Sequence, residues 1–163
     1  MMTKANPQRV LMNTVGLLSA ATIAIPFLFP VEPASASCQV SSTAFKVAQL
    51  TNKVRAQYSL RPLRFNCRLY GAAQNHTVDM VNMNRLSHTG SNGSSIDIRV
   101  KRFGYRYSVV GENVAVGQRT PSQVVNSWMK SPGHRQNILN PQYTEIGVGY
   151  SNNYWTQVFG RPR

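Results

Sequence analysis

The sequence predicts a single α+β domain, and three observations taken in chain order support this class. Apolar residues recur with helical spacing at residues 43–58 and 67–84. A β-branched and aromatic segment follows at 105–117, and two short apolar segments flank Asn152 and Asn153 near the C-terminus. Helices and strands are therefore interspersed, with the last two strands antiparallel, and 163 residues suffice for one domain with a core of its own.

The first helix is predicted from Thr43 to Tyr58. Its apolar side chains fall on one face of a 3.6-residue period, namely Val47, Leu50, Val54 and Tyr58. Arg61-Pro62-Leu63 ends the unit, because proline cannot continue a helix.

The second helix is predicted from about Cys67 to Asn84, and a Gly- and Ser-rich loop follows it. One stripe of this helix carries Leu69, Ala72, Ala73, His76, Met80 and Met83. Because His76 falls on that stripe, we interpret it as a core histidine. A short helix at 96–103 should end at Gly104, since glycine accepts the left-handed conformation that closes many helices.

The next segment, YRYSVVGENVAVG, is predicted to be extended and to enter a turn at Glu112 and Asn113, which lie between two glycines. A further helix should begin at Thr120, with Pro121 in the first position and Gln123 completing a capping box. Its buried side would carry Val124, Val125 and Trp128. Ser131-Pro132-Gly133 interrupts the helical pattern, and His134 follows directly. Asn152 and Asn153 are a plausible turn for the final hairpin.

Residues 1–36 are predicted to be a cleaved signal peptide. Lys4 and Arg9 give a basic start, residues 10–31 are almost wholly apolar, and Ala34-Ser35-Ala36 has the small-x-small pattern of a cleavage site. The mature protein would be one secreted domain of residues 37–163. An uncleaved membrane anchor is the alternative, because the apolar segment is long, although the prolines within it argue against a regular spanning helix.

Secretion determines the interpretation of Cys38 and Cys67, the chain's two cysteines. In an oxidising compartment two such thiols pair, so a disulfide is predicted. A metal site or a catalytic thiol is the alternative, but neither cysteine has a nearby histidine or a C-x-x-C partner.

The charge is strongly positive, with a formal net value of +13. After residue 36, sixteen Lys and Arg face four acidic residues, Asp79, Asp97, Glu112 and Glu145. Such a surface attracts polyanions, among them wall polymers, anionic lipids and nucleic acid. The basic residues are scattered and no nucleic-acid motif is present, so no specific nucleic acid is expected. A solvated basic surface without a partner is the alternative.

His88, Glu112 and His134 are the candidate site. His88 lies in the Gly- and Ser-rich loop, Glu112 between Gly111 and Asn113, and His134 after the Ser-Pro-Gly break. Two imidazoles and a carboxylate can hold Zn²⁺ and leave a fourth position open. No pair has a fixed short spacing, so spacing alone is weak evidence for a metal site.

The chain from about residue 44 to 160 resembles the CAP superfamily, also called the SCP/TAPS or pathogenesis-related-1 family, and most closely its compact bacterial and fungal branch. Five motifs match in order: LTNKVRAQYSLRPL, LSHTGSNGSS, RFGYRYSVVGENVAVG, VVNSWMKSPGHRQNIL and YTEIGVGYSNNYWTQVFG. The resemblance implies an α-β-α sandwich with a central antiparallel sheet between helical layers.

The resemblance also assigns residues to a central cavity. It places there His88 from the S-H-T-G motif, Glu112 from the G-E-N motif and His134 from S-P-G-H-R, with Asn113 beside them. The chain departs from the plant and animal members at two positions: Ser131 stands near an expected glutamate, and Tyr154 replaces a strand histidine. The resemblance therefore implies that Ser131 and Tyr154, like Asn113, are neighbours of the cavity.

Several polar residues have structural alternatives. Glu112 would on this view accept hydrogen bonds from backbone amides and hold its own turn. Asn113 and Asn137 are interpreted as residues that fix loops. Arg135 would pair with Glu112 or Glu145, or face water.

The predicted function is a secreted, monomeric binding module for anionic lipids, sterols or cell-wall polymers, with a cavity for zinc or another divalent metal and no other cofactor. No catalytic residue is assigned, because Ser87 beside His88 has no positioned base. A metal-assisted hydrolase, with Glu112 as ligand or general base, and a structural wall or matrix protein are the alternatives.

Overall fold

The computed structural model describes residues 38–163, which form an α-β-α sandwich. Its helices are α1 (Ser42–Gln57), α2 (Cys67–Asn82), α3 (Ile96–Arg102), α4 (Pro121–Lys130) and α5 (Pro132–Leu139). Its strands are β1 (Arg64–Phe65), β2 (Tyr107–Val116), β3 (Glu145–Ser151) and β4 (Tyr154–Pro162). The predicted signal peptide lies outside the described residues. None of the helices in residues 38–163 has the length and apolarity needed to span a bilayer.

The sheet has the strand order β1-β3-β4-β2, which makes β2 an edge strand. β2 and β3 both pair antiparallel with β4, as the predicted sheet requires, whereas the two-residue β1 pairs parallel with β3. α2 and α3 cover one face of the sheet, and α1, α4 and α5 cover the other. Each face therefore has its own core cluster, and the edge of β2 lies between the two helical layers.

The prediction for α1 is right in extent and partly wrong in its buried face. Ser41 caps the helix by accepting a hydrogen bond from the Ala44 amide, at 3.1 Å. Val47 is fully buried, but Tyr58 is exposed and lies beyond the last helical residue. Arg55, which the apolar pattern passes over, is buried instead, because its guanidinium donates to backbone carbonyls.

The predicted α2 stripe is confirmed except at Met83, which follows the last helical residue and is only partly buried, and this helix packs closely against the sheet. Leu69, Ala73 and Met80 are among its fully buried residues. At Gly147 on β3 a Cβ atom would overlap the backbone of Leu69, so glycine is needed for this close approach. The predicted Cys38–Cys67 disulfide is present and ties residue 38 to the first residue of α2.

The local signals for chain reversals are also confirmed. Thr120 accepts a hydrogen bond from the Gln123 amide and caps α4. α4 ends before Ser131, and α5 begins at Pro132, so His134 lies in the first turn of a new helix. Asn152 and Asn153 have φ angles of 47° and 62°, which a tight β3–β4 hairpin requires.

Candidate functional site

Glu112 lies in the middle of β2, and the predicted turn at this position is wrong. Its backbone pairs with Val158 within a ladder that runs along the whole of β2. A glycine is needed at position 111 because a Cβ atom there would collide with the hydroxyl of Tyr143, and not because the chain turns. The Glu112 side chain, 3% exposed, points toward the layer of α2 and α3.

Both carboxylate oxygens of Glu112 have side-chain partners. Arg99 donates from Nη2 to Oε2 at 2.7 Å, and His88 Nδ1 lies 2.9 Å from Oε1. A carboxylate can only accept, so Nδ1 is the donor in the second bond. The alternative prediction, in which backbone amides bind the Glu112 carboxylate, is therefore wrong, because its partners are the side chains of Arg99 and His88.

Arg99 organises the cluster, and sequence analysis missed it. It comes from α3 and is almost completely buried. Besides Glu112, its Nη1 donates to the carbonyls of His88, at 3.0 Å, and of Ser94, at 2.7 Å. One guanidinium thus neutralises the buried carboxylate and fixes the loop that presents His88. Arg99 has no signal in the sequence, because its partner lies 13 residues away on another element.

His88 presents its remaining ring nitrogen to solvent. Its side chain is 60% exposed, while Nδ1 is held by Glu112. This hydrogen bond raises the pKa of the His88 imidazole above its ordinary value. The neighbouring Ser87 hydroxyl bonds with the backbone of Thr89, so it belongs to its own turn.

His134 approaches from the opposite helical layer. It is partly buried, and its carbonyl accepts a hydrogen bond from Asn113 Nδ2 at 3.0 Å. Burial, together with the positive charge of His88, lowers the pKa of the His134 imidazole. The two imidazoles therefore interact electrostatically. Within residues 38–163, no group of three His, Cys, Asp or Glu residues is placed to hold a metal ion.

His76 is buried, as predicted, but it also borders the site. Its Nε2 lies 2.8 Å from the Ser87 carbonyl and 4.0 Å from Glu112 Oε1. Because the carbonyl can only accept, Nε2 carries the proton and Nδ1 is an acceptor. This Nδ1 has no hydrogen-bond partner in the described part of the chain. Burial lowers the pKa of His76, which favours the neutral ring.

Asn113 points to the other face of the sheet and builds a neutral network. It donates to the His134 carbonyl and, at 3.1 Å, to Gln157 Oε1. Asn137 donates to Asn113 Oδ1 at 2.9 Å and to the Glu112 carbonyl at 3.0 Å. The two asparagines do not fix loops as predicted: Asn113 lies in β2 and Asn137 in α5, and together they join that helix to the edge strand.

The other predicted neighbours lie further from the cluster. Ser131 joins α4 to α5, and the Tyr154 hydroxyl bonds with Asn84 at 3.3 Å. Tyr154 pairs with Val116, four residues along β2 from Glu112, which corresponds to about 13 Å. Neither side chain is hydrogen-bonded to the cluster among the described residues.

Arg135 lies over the ring of Tyr58, with its guanidinium carbon 5.3 Å from the ring centroid, and it also donates to the Tyr58 hydroxyl. Of the two predicted alternatives, pairing of Arg135 with Glu112 or Glu145 is wrong, and exposure to water is confirmed. Arg99 and Arg64 hold those carboxylates instead.

Comparison with protein families gives one match across most of the described residues. A model described as CAP, the cysteine-rich secretory protein family, matches residues 48–159. The uncharacterized protein YkwD of Bacillus subtilis (strain 168) is 45% identical over 128 residues, which cover 77% of this chain and 49% of that protein. The uncharacterized membrane protein YlbC of the same organism is 31% identical, with coverage of 74% and 35%. The chain thus spans half or less of the curated relatives it matches.

Two solved structures share the architecture. An extracellular protein containing a SCP domain, from Bacillus anthracis str. Ames, superposes with a TM-score of 0.71 at 28% identity, over 77% of this chain and 45% of that one. An outer surface protein of Borrelia burgdorferi gives a TM-score of 0.66 at 20% identity, over 72% and 90%. The second likeness concerns the fold alone.

Proposed function

Since the chain belongs to the cysteine-rich secretory protein (CAP) family, we propose that it is a secreted binding module for anionic lipids, sterols or cell-wall polymers. We place a divalent-metal site of this module at His88 and His134. The disulfide supports export, because such bridges persist in oxidising compartments.

The observation that carries a binding role is the engagement of Glu112. One of its oxygens accepts from Arg99 and the other from His88, and its side chain is buried. A carboxylate held in this way is suited to orienting an imidazole. The Glu112 side chain is 3% exposed, whereas a general base must be within reach of the proton that it removes. Binding therefore accounts for this geometry more directly than catalysis does.

The donor set fits a metal ion in part. With Nδ1 bound to Glu112, His88 has Nε2 available as a ligand, and a carboxylate behind the ring is a common arrangement in metal sites. The lowered pKa of His134 favours its neutral, metal-binding form at neutral pH. These are two protein ligands, so water or a bound anion would complete the coordination. Bound zinc would supply a positive, exchangeable position for a phosphate or carboxylate oxygen.

A metal-assisted hydrolase is the second candidate, because an imidazole held by a carboxylate is also a common ligand in catalytic zinc sites. Loss of zinc-dependent hydrolysis in Glu112→Gln, with zinc affinity retained, would support this alternative over a binding role. A wall or matrix protein is the third candidate, in which the surface charge alone matters.

The test is a binding screen on the secreted protein with and without zinc. The probes are vesicles of anionic and of zwitterionic lipid, sterol-containing vesicles and purified anionic wall polymer. Affinity for an anionic probe should fall steeply between about 50 and about 200 mM salt. Affinity that does not change with salt would point to an apolar pocket. A protein that binds none of the probes, with or without zinc, would overturn the proposed function.

A further inference from the structure

We infer that the basic groove at one end of the sheet binds a flexible linear polymer of phosphodiester groups. This inference rests on the proposed function and assigns its anionic partner to a place in the fold. The groove lies where β2 begins and β4 ends. Tyr107, the first residue of β2, is five residues from Glu112, so the groove is about 17 Å along the strand from the histidine cluster.

The groove consists of two adjoining cavities, each of about 640 Å³. Both are lined by Tyr105, Arg106 and Arg163, so together they form one elongated trough. Lys101 lines one end of the trough, and Arg64 and Arg68 line the other. An elongated trough with basic residues along its length suits a chain-like anion better than a compact one.

The acid that lines the trough, Glu145, is already neutralised. Its side chain is buried and receives hydrogen bonds from Arg64, from Asn66 at 3.0 Å and from Tyr105 at 2.8 Å. Burial and the bond to Glu145 raise the pKa of the Tyr105 hydroxyl, so it stays a donor. Glu145 thus fixes the floor of the trough and does not compete for the remaining cations.

Those cations come from separate elements. Arg68 lies on α2, Lys101 on α3, Arg106 before β2 and Arg163 after β4, and all four are exposed. Among the described residues, only Lys101 of these four has an acidic oxygen within 4.0 Å, that of Asp97 at 3.7 Å. A phosphodiester can accept from guanidinium groups on several sides, because its two charged oxygens point in different directions from a tetrahedral phosphorus.

The lining disfavours a membrane or a nucleic acid as the occupant. None of the large exposed apolar side chains of the described residues lines the trough, although Phe103 directly precedes the lining residue Gly104. The trough itself therefore presents no large exposed apolar side chain for insertion into a bilayer. Stacking of bases requires open aromatic faces. Tyr105 is buried, and Lys101 lies over the Tyr107 ring at 5.7 Å from its centroid. A phosphodiester chain without bases fits these features.

The test compares two triple variants of the secreted protein that lose the same charge. Lys101→Gln/Arg106→Gln/Arg163→Gln removes three of the four exposed trough cations and leaves Arg68, and Lys46→Gln/Arg119→Gln/Lys130→Gln removes three exposed cations elsewhere. The probe is poly(glycerol phosphate), titrated by calorimetry at several salt concentrations. The affinity of the trough variant should fall about tenfold or more, and its slope of log affinity against log salt concentration should be smaller by about 2. The affinity of the control variant should change by less than about threefold. Thermal unfolding checks that both variants are folded.

Equal losses in the two variants would overturn the trough while leaving the proposed function standing. Stronger wild-type binding to anionic vesicles, to single-stranded DNA or to polyglutamate than to poly(glycerol phosphate) would also overturn it. Failure of the wild type to bind any anionic probe would overturn the trough together with the anionic part of the proposed function.

Discussion

Glu112 and Asn113 are adjacent on β2, yet their side chains point into opposite helical layers. The Glu112 side chain belongs to a charged network, and the Asn113 side chain belongs to a neutral one. Glu112 joins a charged cluster with Arg99 and His88, in which His76 Nδ1 and Arg99 Nε are buried without a partner among the described residues. Asn113 joins a neutral network whose amide groups satisfy one another and the His134 carbonyl. The neutral side fixes the position of α5 at the sheet edge. The charged side holds an exposed imidazole in a defined orientation, which we attribute to ligand binding.

The largest expected effect lies on the charged side. Arg99→Met should lower the free energy of unfolding by about 3–5 kcal/mol, because it leaves the buried Glu112 carboxylate without its cation. Urea denaturation measures this loss. Exposed Arg102, on the same helix, is the matched control, and Arg102→Met should stay within about 0.5 kcal/mol of the wild type. An Arg99→Met protein as stable as the control would show that the charged cluster does not depend on this pair.

The disulfide supports the same layer, because it is attached to the first residue of α2. Cys38→Ser/Cys67→Ser should lower the free energy of unfolding by about 3–4 kcal/mol, the value that chain entropy gives for a loop of about 30 residues. Hydrogen exchange should increase in the first turn of α2 more than in α5. Two free thiols in the mass spectrum of the secreted wild type would refute the bridge itself.

A smaller loss is expected on the neutral side. Asn113→Ala and Asn137→Ala should each cost about 1–3 kcal/mol, since each leaves buried polar partners unsatisfied. The two residues share a hydrogen bond, so the double variant should cost less than the sum of the single ones. Strictly additive losses in a double-mutant cycle would mean that these amides do not act as one network.

The smallest effect is a dependence of stability on pH. Burial lowers the pKa of His76 and of His134, so the stability that they contribute is present above about pH 6.5 and is lost as the pH falls below it. His88 acts in the opposite sense. Glu112 raises its pKa, so its contribution is complete below about pH 6.5 and is lost as the pH rises through the folded value. His88→Ala should therefore lack the gain in stability that the wild type shows as the pH falls through the raised pKa of His88 toward 6.5, and a urea-denaturation profile unchanged above pH 6.5 would contradict these assignments.

The fold could be predicted where local chemistry decides the structure. The cap at Thr120, the reversal at Asn152 and Asn153 and the left-handed Gly104 each follow from the residue types present. The site was only partly predictable. Gly111 and Asn113 resemble turn residues, but the glycine makes room for Tyr143 and the asparagine faces α5.

Long-range partners have no such local signal. Arg99 reaches Glu112 across two elements, and its short helix looks like an ordinary basic surface in the sequence. The opposite error occurs at Tyr58, which matches the apolar period of α1 and yet lies outside the core, against Arg135. Periodicity identifies faces of elements, whereas buried charge pairing depends on how those elements pack.

The most direct test of the account is an NMR titration of the imidazoles against pH, with and without zinc. The chain has three histidines, so three sets of ring signals can be assigned by single substitutions. We predict that the pKa of His88 lies above the ordinary value of 6.5 and that the pKa values of His76 and His134 lie below it. Zinc at neutral pH should shift the ring signals of His88 and His134 and leave those of His76 unchanged. A His88 that titrates at or below the other two would contradict its pairing with Glu112. Three rings that are all insensitive to zinc would contradict the metal site.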